Sequence, residues 1–116
     1  MTNILIDSDK KLHNLLSKIE DCKEIGLDTE FIRESTYRPI LALIQISLAN
    51  EEIYLIDPQK IKDISGISKI TSDPKIIKII HSAKQDLEAL YSHLGSYPKN
   101  VFDTQIAYNF LSEKSN

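Results

Sequence analysis

The feature that most limits what this sequence can fold into is the regular alternation of residues 25–31. Apolar or β-branched side chains stand at every second position from Ile25 to Phe31, and Gly26, Asp28 and Glu30 stand between them. Successive side chains of a β-strand leave opposite faces, so the segment is predicted to be a strand with one buried and one acidic face. Such a strand requires neighbouring strands and a layer that covers its apolar face.

Hydrophobic periodicity predicts four further strands and four helices. The strands are expected at residues 40–48, 52–56, 75–80 and 101–102, and the helices at 12–19, 65–71, 82–94 and 104–111. Ser82 and Gln85 have the spacing of a capping box at the start of the third helix. The apolar run 4–6 is too short to be counted as a strand. The prediction is therefore an α/β fold with a mixed sheet, made of a three-strand antiparallel meander and two further strands, with flanking helices.

The composition limits the class of protein. With 116 residues, 41% of them hydrophobic and 27% charged, the chain fits one soluble globular domain at most. No apolar run is long enough to cross a bilayer, and Asp7 and Asp9 argue against a secretory signal. Cys22 is the single cysteine, which excludes an internal disulfide framework. A cytoplasmic protein without a membrane partner is expected.

The net charge of −3 argues against a protein that grips nucleic acid by charge alone. It is compatible with a nuclease whose own carboxylates are neutralised by bound metal ions.

Three carboxylates are candidate metal ligands. Asp28 and Glu30 leave the same strand face about 7 Å apart, and carboxylate oxygen is the ligand that Mg²⁺ and Mn²⁺ prefer. Asp86 is expected at the margin of the buried face of its helix, where it can approach the other two. A solvated sheet face and a helix-rim aspartate are the alternatives. Asp103, directly before the last helix, is predicted to cap it.

The sequence resembles the ribonuclease D group of DEDD-type 3′–5′ exonucleases. The resemblance covers nearly the whole chain, in the order of the family's motifs. It rests on Asp28-Thr-Glu-Phe31 with Ile32-Arg33, Thr36-Tyr37-x-Pro39, Leu43-Ile44-Gln45, Leu55-Ile-Asp-Pro58, His81-x-x-x-x-Asp86-Leu-Glu88 and Phe102-Asp-Thr-Gln-Ile-Ala107.

The resemblance implies a ribonuclease H-like fold and hydrolysis of the 3′-terminal phosphodiester by two divalent ions, Mg²⁺ or Mn²⁺. It implies that Asp28, Glu30 and Asp86 are the catalytic metal ligands, and that the substrate is an RNA 3′ end, as in tRNA precursors. Phe31 would pack against the terminal base, with a core position as the equal alternative, and Arg33 and Arg38 would contact phosphates.

The third motif of the family, a Tyr-x-x-x-Asp segment, does not occur after Asp86; Tyr108 is followed four residues later by Ser112. Residues 1–116 are therefore expected to be a partial exonuclease domain that contains the first two exonuclease motifs. Three interpretations remain open. The first is an active 3′–5′ exoribonuclease. The second is a catalytically silent fragment that binds metal or nucleic acid, or half of a split exonuclease completed by a separate chain. The third is an unrelated soluble α/β domain whose acids are solvated.

Overall fold

The structure, a computed structural model, describes residues 2–32 and 40–114. Along the chain, the strands and helices are β1 (Thr2–Ile6), α1 (Asp9–Ile19), β2 (Glu24–Ile32), β3 (Ile40–Ser47), β4 (Glu52–Ile56), a 3₁₀ turn (Pro58–Lys60), α2 (Ser65–Thr71), β5 (Ile77–Ile80), α3 (Lys84–Leu94), β6 (Val101–Asp103) and α4 (Thr104–Lys114). No helix within the described residues is both long and apolar enough to cross a membrane.

The six strands form one mixed sheet in the order β1-β4-β3-β2-β5-β6. The predicted antiparallel meander is present, since β3 pairs with β2 on one side and with β4 on the other. The remaining neighbours are parallel: β1 with β4, β2 with β5, and β5 with β6. The alternating strand β2 thus lies inside the sheet, with an antiparallel neighbour on one side and a parallel neighbour on the other.

The alternation of β2 divides the sheet into two unlike faces. Leu27 is in register with Ile46, and Ile46 with Tyr54, all of them buried. They belong to a core that α1, α2 and α3 cover, whose helical members include Leu12, Leu15, Ile19, Ile67, Ile70, Ala89 and Leu90. The opposite face carries Asp28 in register with Gln45. The predicted separation of an apolar from an acidic face is confirmed.

Gly26 allows β2 and β3 to approach closely on this second face. A Cβ atom at position 26 would lie 2.1 Å from the Oγ of Ser47, the residue in register with it. That separation is far below van der Waals contact, so the glycine leaves the space that the Ser47 hydroxyl occupies.

The structure differs from the sequence prediction in two places. Residues 2–6 form a sixth strand, which the short apolar run did not predict; β1 lies at the sheet edge and needs only one partner, β4. Helix α3 begins at Lys84 rather than at Ser82, and it has no capping box. Ser82 has φ +56°, and the N-cap residue is Ala83, whose side chain has no oxygen. The capping acceptor comes from elsewhere in the chain.

A buried lysine joins two loops at the end of the sheet where β5 and β6 begin. Lys78 in β5 is fully buried, and its Nζ donates to the carbonyl oxygens of Asp73, at 2.5 Å, and Lys99, at 3.0 Å. These residues precede β5 and β6. Burial lowers the pKa of the Lys78 ammonium, against the opposing effect of the nearby Asp73 charge. The two carbonyl oxygens therefore supply the hydrogen bonds that stabilise the Lys78 ammonium in its buried position.

Candidate active site

The site lies where β2 extends beyond its parallel neighbour. Strand β5 pairs with β2 from Glu24 to Gly26, and the chain then turns away into α3. The backbone of β2 beyond Gly26 therefore lacks a strand partner on that side, although β3 remains paired on the other. A missing strand partner exposes donors that another group must satisfy.

The Asp86 carboxylate takes the place of the missing strand. Its Oδ1 accepts from the backbone N–H of Thr29 at 3.0 Å and also from the Thr29 hydroxyl. The same N–H lies 3.0 Å from Oδ1 of Asp28. Since Oδ1 of Asp86 and Oδ1 of Asp28 each lie 3.0 Å from the Thr29 nitrogen, the two oxygens can be no further apart than twice 3.0 Å. The Asp86 carboxylate, on a helix, and the Asp28 carboxylate, on a strand, are therefore neighbours.

Most of the residues that the sequence singled out line one cavity of about 320 Å³ at this point. Its lining consists of Asp28, Thr29, Glu30, Phe31, His81, Ser82, Gln85 and Asp86. The Asp28 and Glu30 side chains are exposed, whereas Asp86 is only 7% exposed. Phe31 is half-buried and packs against the core, and the register of β2 with β3 shifts between Glu30 and Phe31. Arg33 and Arg38 lie outside the described residues.

The Asp86 carboxyl is held in an environment that disfavours its charge. Burial is the main reason that its pKa lies above the ordinary value, and the negative charge of Asp28 acts in the same direction. The hydrogen bonds from Thr29 oppose the shift. A bound cation would relieve both the desolvation and the repulsion between the carboxylates.

The start of α3, which carries Asp86, is fixed by the segment that joins β6 to α4. Asp103 accepts through Oδ1 from the N–H of Ser82 at 2.9 Å and through Oδ2 from that of Ala83 at 2.8 Å. The same Oδ1 accepts from the N–H of Gln105 in α4 at 2.9 Å. The predicted cap of the last helix is thus confirmed, and the same carboxylate also caps α3. These N–H groups, Ala83 foremost, hold the pKa of the Asp103 carboxyl below its ordinary value.

The end of α3 is held by His93. The carbonyl of Ala89 can only accept, so Nδ1 of His93, 3.0 Å away, carries the proton and donates it. Nε2 then accepts from the N–H of Leu41 at 3.1 Å. The imidazole therefore joins α3 to the beginning of β3, the strand beside the candidate site.

The carboxylates suit a hard divalent cation in their chemistry and proximity. Two of them leave one face of β2, and the third is next to the first through the shared Thr29 N–H. Over residues 2–32 and 40–114, however, no three His, Cys, Asp or Glu side chains form a ready-made metal cluster. Asp86 is turned onto Thr29 instead. The structure thus has suitable ligand oxygens, and those of Asp28 and Asp86 accept from the backbone N–H of Thr29.

Sequence reasoning missed two contributors to this site. Thr29 was assigned to the buried face by the alternation, but its hydroxyl and N–H both bind Asp86. Asp103 was assigned only to its own helix. No local pattern indicates the bond to Ala83, which is 20 residues away in sequence. The only available signal was that β5 and β6 end at the same edge of a sheet, as parallel neighbours do.

The chain belongs to the 3′–5′ exonuclease family, whose model it matches over residues 3–116. Its curated relatives include ribonuclease D of Desulfotalea psychrophila, which is 46% identical over 115 residues covering 90% of this chain and 31% of the relative. The crystal structure of Escherichia coli RNase D, described as an exoribonuclease involved in structured RNA processing, superposes with a TM-score of 0.87 at 39% identity, covering 93% of this chain and 28% of that one. The crystal structure of the catalytic core of RRP6 from Trypanosoma brucei superposes with a TM-score of 0.82 at 26% identity, covering 92% of this chain and 30% of that one. The chain spans less than a third of the length of these proteins.

Proposed function

We propose that this chain acts in 3′–5′ exoribonucleolytic hydrolysis of the ribonuclease D type, removing nucleotides from RNA 3′ ends. The observation that carries the proposal is the convergence of Asp28 and Asp86 on one N–H of β2, beside Glu30, in a member of the 3′–5′ exonuclease family. Structured RNA such as tRNA precursors is the proposed substrate class. The family resemblance and the described role of the E. coli relative support it. We assign the activity to the cytoplasm, as the single cysteine and the bacterial relatives suggest.

In this proposal Asp28, Glu30 and Asp86 are the metal ligands, and the ions are Mg²⁺ or Mn²⁺. When bound, two such ions supply charge stabilisation for the attacking and leaving oxygens of the phosphodiester. The protein's part is to hold carboxylate oxygens at the end of β2 and to orient the RNA terminus above them. Phe31, half-buried beside Glu30, is the proposed contact of the terminal base, and Arg33 and Arg38 are the proposed phosphate contacts.

We propose further that residues 1–116 form part of an exonuclease domain, with the first two of its three acidic motifs. The carboxylate of the third motif would then come from polypeptide outside these residues, in the same protein or in a separate chain. A silent metal-binding fragment is the competing interpretation. The family match across residues 3–116 favours the enzyme over this alternative.

The proposal is tested by incubating the protein with RNA labelled at its 5′ end and Mg²⁺ or Mn²⁺, and resolving the products by length. Stepwise shortening from the 3′ end is expected, and Asp28→Asn should abolish it. Asp21→Asn is the matched control, since Asp21 is exposed in the turn before β2. Equal shortening by wild type and Asp28→Asn would reject the assigned site, and no shortening by wild type even with the polypeptide that carries the third motif present would reject the enzyme.

A second measurement separates metal binding from catalysis. Thermal unfolding is followed while Mn²⁺ is added, because a ligand that binds only the folded state raises the midpoint. The rise should be lost in Glu30→Gln and kept in Glu24→Gln, an exposed glutamate at the other end of the same strand. A wild-type midpoint that Mn²⁺ leaves unchanged would count against the assigned ligands.

A further inference from the structure

The Asp86 carboxylate, in the first turn of α3, could accept hydrogen bonds either from the start of its own helix or from β2. With Ala83 as N-cap, Asp86 is the third helical residue, N3. A carboxylate at N3 can fold back onto the N–H of the N-cap residue and satisfy it, as in a capping box. In this structure Asp86 does not do so; it points across to β2 and binds Thr29.

The local donors are already satisfied by Asp103. Its two carboxylate oxygens accept separately from Ser82 and Ala83, the two N–H groups that precede α3. No side chain of α3 itself supplies a cap. The negative charge of Asp103 also lies at the positive end of the helix, which favours this arrangement. The N–H of Ala83, to which the Asp86 carboxylate could otherwise fold back, therefore already has Asp103 as its acceptor.

A second contact holds the same segment in place. Nδ1 of His81, the residue before Ser82, lies 2.8 Å from the hydroxyl of Thr104, the residue after Asp103. Two consecutive residues at the β6–α4 junction thus hold the three residues that lead into α3. Ser82, between His81 and Ala83, has φ +56°, a left-handed conformation that is uncommon for a serine.

We propose that Asp103 is a positioning residue for the reaction: by capping α3 from outside, it leaves the Asp86 carboxylate available to the candidate metal site beside Asp28. The inference rests on the proposed function for its catalytic meaning. Asp103 is assigned no contact with substrate or metal, and it acts through the direction of the Asp86 side chain. Its loss frees the N–H of Ala83, and Asp86 then turns back to cap its own helix.

The direct test is amide hydrogen exchange of the ¹⁵N-labelled protein without metal, with the Thr29 amide as the reporter. Asp103→Ala should speed exchange at Thr29 about tenfold, toward the rate in Asp86→Ala, because the Asp86 acceptor has left and only Oδ1 of Asp28 remains. Asp103→Asn keeps one oxygen acceptor and should give an intermediate rate. Asp63→Ala is the matched control, since Asp63 accepts from the N–H of Ser65 at the start of α2 and lies outside the cavity lining.

The second readout is the affinity for Mn²⁺ alone. Loss of a group that orients a metal ligand typically weakens metal binding about 10- to 100-fold, and that loss is expected for Asp103→Ala but not for Asp63→Ala. Asp103→Asn should recover part of the affinity, and it decides the question if Asp103→Ala does not fold.

Unchanged exchange at Thr29 in both Asp103 variants would overturn the inference, as would equal loss of Mn²⁺ affinity in Asp63→Ala. Failure of the wild-type protein to bind Mn²⁺ would reject the proposed function instead. Exchange at Thr29 would still decide whether Asp103 directs Asp86.

Discussion

Asp86 and Thr29 form two hydrogen bonds to each other, one through the backbone N–H and one through the hydroxyl of Thr29. The pair links the first turn of α3 to the part of β2 that β5 leaves without a partner. It also gives a buried carboxylate two hydrogen-bond donors, on a part of β2 that has no strand partner on that side. Burial and the nearby charge of Asp28 nevertheless make the Asp86 carboxylate costly for stability when no cation is present.

We expect Asp86→Asn to stabilise the metal-free protein while it abolishes the proposed activity. The amide oxygen still accepts from Thr29, but the buried charge and its repulsion with Asp28 are gone. A gain of about 1 kcal/mol would raise the unfolding midpoint by roughly 4–8 °C. Calorimetry at neutral pH with a chelator present measures it.

The pH dependence of that gain follows from the direction of the Asp86 pKa. The pKa of the Asp86 carboxyl in the folded state is raised above the ordinary value of 3.8. The stability that the protonated carboxyl contributes is therefore fully present below pH 3.8, and it is lost as the pH rises through the folded-state pKa. Wild type and Asp86→Asn should therefore be similar near pH 4 and diverge toward pH 7. A constant difference across this range would contradict the prediction.

His93→Phe should destabilise the protein by about 1–3 kcal/mol, because the N–H of Leu41 loses its acceptor and stays partly buried. Urea unfolding measures the loss, and amide exchange at Leu41 locates it. His13→Phe is the control, since His13 is exposed on α1. His93→Gln, which keeps both an acceptor and a donor, should recover part of the stability. Wild-type stability in His93→Phe would show that the bond to Leu41 contributes little.

Lys78→Met should also be destabilising, by about 1–3 kcal/mol, since the carbonyls of Asp73 and Lys99 both lose a charged donor. The methionine fits the same buried space but forms neither bond. Lys75→Met is the comparison, because Lys75 is exposed just before β5. If the two variants unfold at the same urea concentration, relief of the buried charge offsets the lost bonds.

Gly26→Ala tests the close approach of β2 and β3. The added Cβ would lie 2.1 Å from Oγ of Ser47, so we expect a loss of roughly 1–3 kcal/mol, as for other overpacked positions. Ser47→Ala removes that oxygen, and the double variant should recover most of the loss. A double-mutant cycle on the free energy of unfolding gives the coupling between the two positions. Additive effects would mean that the hydroxyl simply rotates away.

Features that depend on neighbouring residues in sequence could be predicted, and features that depend on distant ones could not. The alternation of β2 predicted its two faces, and short connections predicted the meander of β2, β3 and β4. The start of α3 was predicted wrongly because Ser82 and Gln85 fit a local cap, whereas the actual acceptor is Asp103, contributed by another strand. The edge strand β1 was missed because it has little apolar signal of its own.

The same limit applies to the site. The spacing of Asp28 and Glu30 on a strand is visible in the sequence, as is the marginal position of Asp86 on its helix. Their relation across the gap left by β5 is not visible, since it depends on β5 ending at Ile80 while β2 continues to Ile32. The direction of the Asp86 side chain depends on hydrogen bonds that only the assembled sheet provides.

Because Asp103 follows Ala83 by 20 residues, the whole of α3 is synthesised before the group that caps its first turn. Until β6 has joined the edge of the sheet, the N–H groups of Ser82 and Ala83 lack this acceptor. The cavity lined by Asp28, Glu30 and Asp86 is thus bordered by a helix start whose cap is synthesised later, and a chain that ends before Val101 lacks that cap.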